Sequence, residues 1–257
     1  MCGIIACRTH APAVDYLLTA LRRLEYRGYD SVGIAIRTTS GDVARLRSVE
    51  RIGALERKVR DWAGPDLTGA GIGHTRWATH GTVTETNAHP HSDCTGQISL
   101  VHNGTVENAR QLRSMLMEAG HTFASSVDSE VLSHLIEDQL EVCGDLLDAV
   151  QKALTAAEGS WGLAVLERST GRLVVAAQRS PLLVARTDHG DFAASDVAAI
   201  AEWAHEFRVL EDGDVIELST PDLYNHNGGP VVTTMSGGCG WRGAHTAGLG
   251  EPIPSSA

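Results

Sequence analysis

Ile98-Ser-Leu-Val-His-Asn-Gly104 is the point where the chain changes its pattern. Ile98 to His102 reads as a short buried strand, and the Asn103-Gly104 pair that follows is a favoured turn dipeptide that would close it. Beyond it lie three stretches of helical spacing, Ala109 to Ala119, Ser129 to Val142 and Leu146 to Ala157, the last ending near Gly159. Short apolar runs then return at Trp161 to Leu166, Leu173 to Gln178, Leu182 to Arg186 and Phe192 to Ala194, with a hairpin expected around Asp212-Gly213.

Upstream, Ile4 to Ala6 reads as a strand, and Val14, Leu17, Leu18, Leu21 and Leu24 follow helical spacing. Val32 to Ile36 and Val43 to Val49 read as strands, Ala54 to Trp62 as a helix, and Ala70 to Trp77 as a strand. That strand opens into a long loop, Ala78 to Gln97, rich in Thr, His, Asn and Pro. A long loop without periodicity inside a compact domain is often functional. The order of strands, helices and strands, without βαβ repetition, predicts an α+β fold of mixed sheets covered by helices. From about Pro221 the chain is rich in Gly, Pro and Ser without sustained period. The expected division is a domain over 2–218 and an irregular or partner-docking tail over 219–257.

The formal charge of −11 argues against nucleic acid and anionic membrane as partners, since both call for local positive charge. No apolar run approaches the ~18 residues of a membrane span, and the N-terminus lacks a basic start and signal-length apolar stretch. Five cysteines at irregular spacing, Cys2, Cys7, Cys94, Cys143 and Cys239, do not form a disulfide framework and fit a reducing cytoplasm.

Cys2 follows the initiator Met. Removal of Met1 would place a thiol and an α-amine on one residue. An α-amine with a pKa near ~7.7–8.0 is partly unprotonated at neutral pH and could take the thiol proton. Met-Cys-Gly alone carries little weight, because most second-position cysteines have no catalytic role.

The wider pattern is more specific. Leu21-Arg-Arg-Leu-Glu-Tyr-Arg-Gly-Tyr-Asp-Ser-Val-Gly33, Gly73-His-Thr-Arg-Trp-Ala-Thr-His-Gly81, Asn87-Ala-His-Pro-His91 and Val101-His-Asn-Gly104 occur in this order. Together they closely resemble the glutaminase domain of the glutamine–fructose-6-phosphate aminotransferases, or glucosamine-6-phosphate synthases. These belong to the class II glutamine amidotransferases, among the N-terminal-nucleophile hydrolases. The resemblance runs from Cys2 to about Leu218. It implies a four-layer αββα sandwich, loss of Met1, Cys2 as nucleophile with its own α-amine as base, and Asn103 and Gly104 as oxyanion hole. It implies that Arg76 holds the α-carboxylate of L-glutamine and that Asp128 pairs with its α-ammonium. Trp77, Thr79, His80 and Gly81 would belong to a loop closing over the substrate, and Arg27 and Asp30 would organise the site.

The bland alternatives are an Asn-Gly turn for Asn103-Gly104, a surface ion pair for Arg76, a helix cap for Asp128 and core packing for Trp77. His89, His91 and Cys94 have spacing that could suit zinc, but no fourth ligand is evident, so no metal is expected. His89 is expected to hydrogen-bond within the loop, and Cys7, Cys94, Cys143 and Cys239 to be small buried or tail residues. The proposed steps need no cofactor. Ammonia would leak from a free-standing glutaminase, so a separate ammonia-accepting synthase subunit is expected, with a homo-oligomer left open. Two alternatives stand beside this: a truncated N-terminal domain of the synthase, and a catalytically silent glutamine-sensing module. An amide hydrolase acting on another acyl group would want an apolar pocket in place of Arg76 and Asp128.

Overall fold

The computed structural model describes residues 2–77 and 83–218. Their burial pattern explains the layering. In β1 (Gly3–Thr9), Ile5 and Cys7 pack toward α1 (Ala13–Leu24), whereas Ile4 and Ala6 face the opposite way into a second apolar layer. A strand buried on both faces reads as a continuous apolar run, which is why alternation is absent here. In β7 (Gly159–Glu167), Leu163 and Val165 likewise face helices while Ala164 and Leu166 face the other sheet.

Two antiparallel sheets therefore stack between two helical layers. The seven-stranded sheet orders β11 (Arg208–Val209), β9 (Leu183–Thr187), β10 (Gly190–Ala194), β1, β4 (Leu67–Arg76), β2 (Ser31–Thr38) and β3 (Val43–Ser48). α1 and α2 (Ile52–Arg60) cover it. The five-stranded sheet orders β12 (Val215–Leu218), β8 (Leu173–Gln178), β7, β6 (Ile98–Val106) and β5 (His91–Ser92). α3 (Ala109–Glu118), α4 (Ser129–Cys143) and α5 (Leu146–Ala156) cover its outer face. This is the α+β, four-layer αββα arrangement that the resemblance implies.

Three local expectations are corrected. Asn103-Gly104 does not close a strand. β6 continues to Val106, with Asn103 opposite Gly162 and Gly104 opposite Trp161. Gly104 has φ of +134°, and a Cβ there would lie 2.0 Å from the Ser160 carbonyl oxygen. Glycine thus lets the strand run on where any side chain would collide with its neighbour. Asp212-Gly213 does not join a hairpin either. β11 pairs with β9 in one sheet and β12 with β8 in the other, so this turn carries the chain between sheets. Finally, the long loop after β4 contains β5, whose His91 and Ser92 pair with Leu100 and Ser99.

Met1, residues 78–82 and residues 219–257 lie outside the described residues, and with them Thr79, His80, Gly81, Cys239 and the expected tail. Among the described residues, no helix is long and apolar enough to cross a membrane.

Candidate active site

Strand register brings the first residues together. Gly3 of β1 lies opposite Thr75 of β4, so Cys2 arrives beside Trp77. The Trp77 N–H points to Cys2 Sγ at 3.4 Å. Gly28 packs against the same corner: a Cβ there would sit 2.6 Å from the Arg76 carbonyl carbon. The turn before β2 can therefore press onto the end of β4. From that turn Arg27 donates through Nε to the Cys2 carbonyl at 3.2 Å, and its guanidinium pairs with Asp196 at 2.7 Å. The Tyr26 hydroxyl donates to the same carboxylate at 2.6 Å.

The second sheet supplies the next group. β6 carries Asn103, whose side-chain amide donates to the Cys2 carbonyl at 3.1 Å. His74 Nε2 lies 3.0 Å from Asn103 Oδ1. Burial, the largest influence, pushes the His74 pKa down to about 3, so the ring is neutral near pH 7. An Nε2–H tautomer then donates to Oδ1 and fixes which end of the amide faces Cys2. His102 works similarly toward the opposite wall. Its Nε2 is 3.1 Å from the Ser160 carbonyl, which can only accept, leaving Nδ1 to accept from the Ser129 hydroxyl at 2.8 Å.

His89 departs from expectation. Among the described residues its buried Nδ1 has no hydrogen-bond partner. The ring instead stacks on His74 at 4.2 Å between centroids and meets His91 edge-on at 4.4 Å. Burial lowers the pKa of both His89 and His91, the latter to about 3. Neutral rings can pack this closely; charged ones would repel.

The far wall is the start of α4. Asp128 accepts from Ser129 N–H at 2.9 Å and from Val106 N–H at 2.8 Å. It thus caps the helix and ties it to the end of β6, so the cap alternative holds as geometry. Arg76 is only 8% exposed, which excludes a surface ion pair. It donates to the Asn87 carbonyl at 3.0 Å, and Asn87 Oδ1 accepts from Ser126 N–H at 3.2 Å. Trp77 is 42% exposed and meets Tyr29 edge-to-face at 5.4 Å, so it is not core packing.

Cys2, Arg76, Trp77, Asn103, Gly104 and Asp128 line a single cavity of about 620 Å³, which Arg27 and His89 also reach. Asp30 does not line it; its backbone N–H donates to the Arg76 carbonyl at 3.0 Å. The cavity joins a thiol, amide donors, a guanidinium and a carboxylate. Sequence reading passed over His74, His102, Asn87 and Ser126, although three of them sit inside the quoted motifs. Their roles depend on contacts between sheets that spacing does not encode.

Known proteins resemble this chain in sequence and in fold. The model of the glutamine amidotransferase domain family matches residues 74–202. Among relatives, glutamine–fructose-6-phosphate aminotransferase (isomerizing) of Haemophilus influenzae is 40% identical over 231 residues, covering 89% of this chain and 37% of that protein. The enzyme of the same name from Thermus thermophilus is 45% identical over 220 residues, covering 85% and 35%. The chain therefore spans little more than a third of these relatives. Among solved structures, glutamine phosphoribosylpyrophosphate amidotransferase of B. subtilis covers 84% of this chain and 48% of its own, with a TM-score of 0.66 at 23% identity. An allosteric regulatory enzyme of purine biosynthesis reaches a TM-score of 0.70 at 24% identity, covering 84% and 46%. At such identity these two establish the fold.

Proposed function

Since this chain belongs to the glutamine amidotransferase domain family, of class II by its N-terminal-nucleophile fold, we propose that Cys2 attacks the side-chain amide of L-glutamine. The observation that carries this is the placement of Cys2 in one cavity with Arg76, Asp128, Asn103 and Gly104.

Removal of Met1 frees the α-amine of Cys2. The amine takes the thiol proton, and the thiolate adds to the amide carbon. Negative charge develops on the carbonyl oxygen, where the Asn103 amide and the Gly104 N–H stabilise it. His74 keeps the Asn103 amide turned toward Cys2. The protonated α-amine returns its proton to the leaving nitrogen, and ammonia departs. Water then attacks the γ-glutamyl thioester, releasing glutamate and restoring the thiol. Arg76 receives the α-carboxylate, for which a planar guanidinium offers two parallel donors. Asp128 receives the α-ammonium with the lone pairs that its two backbone contacts leave free. Trp77, at the end of β4, covers the substrate from the mouth of the cavity. Arg27 holds the Cys2 carbonyl, Asp30 supports the backbone of Arg76, and His89 buttresses His74.

The ammonia passes to a synthase unit, for which a separate subunit is the arrangement to test. Support comes from the relatives, whose name joins glutamine to an acceptor, fructose 6-phosphate, and of which this chain matches about a third. Pull-down followed by a coupled amination assay examines it. A glutamine sensor with the same pocket would bind glutamine and release nothing.

The decisive test combines intact mass with a glutaminase assay. The active protein is expected to lack Met1, and Cys2→Ala to lose ammonia release while still binding glutamine. Full activity in Cys2→Ala, or Met1 retained in active protein, would overturn the mechanism.

A further inference from the structure

Outside the pocket, four side chains of metal-ligating type converge on one point. Cys94 lies in the turn between β5 and β6, His121 in the connection from α3 to α4, and His134 and Glu137 on α4. Cys94 Sγ is 3.5 Å from His121 Nδ1 and 3.4 Å from His134 Nδ1. The two Nδ1 atoms are 3.3 Å apart, and Glu137 Oε2 is 3.1 Å and 3.3 Å from them. None of the four lines the cavity around Cys2.

Five of the six separations, 3.1–3.5 Å, are close to those of a tetrahedron around an ion, and all four ligand atoms lie within 4.8 Å of one another. Bonds of about 2.0–2.1 Å to nitrogen and oxygen and about 2.3 Å to sulfur place neighbouring ligand atoms about 3.3–3.6 Å apart. The surroundings are also those of a metal site. His121 Nε2 lies 2.8 Å from Asp138 Oδ1, so its proton goes to that carboxylate and the Nδ1 lone pair faces inward. The Thr122 N–H points to Cys94 Sγ at 3.4 Å and the Cys94 N–H to Glu137 Oε2 at 3.3 Å. His134 is fully buried, and its Nε2 has no hydrogen-bond partner among the described residues; the closest carboxylate, Glu130, is 3.8 Å away.

We propose that Cys94, His121, His134 and Glu137 bind one zinc ion, a closed four-ligand site that staples the β5–β6 turn and the α3–α4 connection to α4. Thiolate with imidazole selects zinc among the common divalent ions, and four protein ligands leave no open position for catalysis. On binding, the Cys94 thiol gives up its proton to solvent. The exposure of Cys94 provides the entry path. The pattern that sequence reading weighed, His89 with His91 and Cys94, thus divides: the two histidines belong to the ring stack, and the cysteine finds its partners more than twenty residues away.

The test uses the full chain without an affinity tag, in a Cys2→Ala background so that the pocket thiol cannot bind metal. Protein stripped with a chelator is titrated with zinc chloride against a chromogenic competitor, and separately with cobalt(II). Expected are one zinc per chain, a thiolate-to-cobalt charge-transfer band with visible bands of four-coordinate cobalt, and a melting temperature that zinc restores. Cys94→Ser, at an exposed position, should remove the charge-transfer band and the response of melting to zinc. Asp138→Asn should keep the band and weaken zinc affinity about 10- to 100-fold. Substoichiometric zinc, or uptake and spectra unchanged by Cys94→Ser, would overturn the site and leave a metal-free hydrogen-bonded cluster. Because none of these readouts is ammonia release, the outcome is independent of the function proposed for Cys2.

Discussion

Among the described residues two clusters of histidines stand out, and they were assembled for opposite ends. Under the pocket, His74, His89 and His91 present ring faces and edges to one another. Behind α4, His121 and His134 present nitrogen lone pairs to a thiol and a carboxylate. The first cluster is neutral and buried, and through His74 it turns the Asn103 amide toward Cys2. The second has its lone pairs converging, an arrangement that becomes favourable when a cation sits between them. Residue type does not separate the two groups. Rings meet edge-on in both, His121 and His134 at 5.1 Å; what separates them is whether the ring nitrogens converge on one point with a thiol and a carboxylate.

The difference predicts that damage at the substrate contacts reads out in rate, and damage to the buried ring stack or behind α4 in stability. The largest effect is expected at Asn103. Asn103→Ala removes one oxyanion donor and should lower kcat by about 10²–10³, or about 2.7–4 kcal/mol. Steady-state ammonia release with a circular-dichroism melt distinguishes this from misfolding. A loss confined to KM would show that Asn103 serves ground-state binding instead.

Arg76→Lys tests the other end of the substrate. Lysine keeps the charge but loses the planar pair of donors. Hydrogen bonds to charged groups contribute about 1.5–3 kcal/mol, so kcat/KM for glutamine should fall about 10- to 150-fold. Glutamine analogues without an α-carboxylate should be hydrolysed equally well by both proteins. If they are not, Arg76 supports the fold of the pocket rather than the substrate.

The ring stack can be probed through pH. Burial lowers the pKa of His74, His89, His91 and His102, for His74 and His91 from the ordinary 6.5 to about 3. Between those values the unfolded chain binds protons that the folded chain refuses. Stability therefore rises with pH across this window and is lost on acidification from about 6.5 downward. His91→Phe keeps a ring against His89 and cannot titrate. It should flatten the slope of unfolding free energy between pH 3 and 6.5 by about one proton, or about 1.4 kcal/mol per pH unit. Urea melts at several pH values, with chelator present so that acid release of metal does not contribute, give the slope. An unchanged slope would mean that His91 is charged in the native state.

Much of this was legible in the sequence, for reasons that can be stated. Strands β1, β7 and β8 are apolar on both faces because each lies between a sheet and a helical layer, and their runs are visible without a structure. Arg76 and Asn103 sit in two of the quoted motifs, and the resemblance that those motifs carry extended the expectation to Cys2 and Asp128. The Asn103-Gly104 turn was misread because the same dipeptide that closes a hairpin also lets a strand pass close to Ser160, and only the neighbouring strand tells which. The partners of Cys94 were illegible for a simpler reason. A metal site made across three elements has no local spacing, apart from the i, i+3 relation of His134 and Glu137 on one helix face. His74 gave no signal either, since its task is defined by the Asn103 amide from the opposite sheet.

The smallest expected effect joins the two clusters. The segment from His121 to Asp128 begins at the proposed zinc ligand and ends in the pocket wall, so stripping the metal could in principle loosen glutamine binding. Four other tethers hold it. Glu130 accepts from the Ala124 and Ser125 N–H groups, each at 2.7 Å. Arg113 donates to the Ser125 and Val127 carbonyls at 3.0 Å and 2.8 Å. Asn87 receives the Ser126 N–H, and Asp128 is pinned to Val106. Each of these lies between the cluster and the substrate contacts, so the loss of one anchor at the far end should be absorbed before it reaches Asp128. Chelation is therefore expected to raise KM for glutamine by no more than about threefold, some 0.65 kcal/mol, with kcat unchanged. Assays on metal-stripped and zinc-restored enzyme, well below the melting temperature of both, measure it. A tenfold or larger rise would show that the two histidine clusters form one mechanical unit and that the tethers along 124–128 do not isolate the pocket.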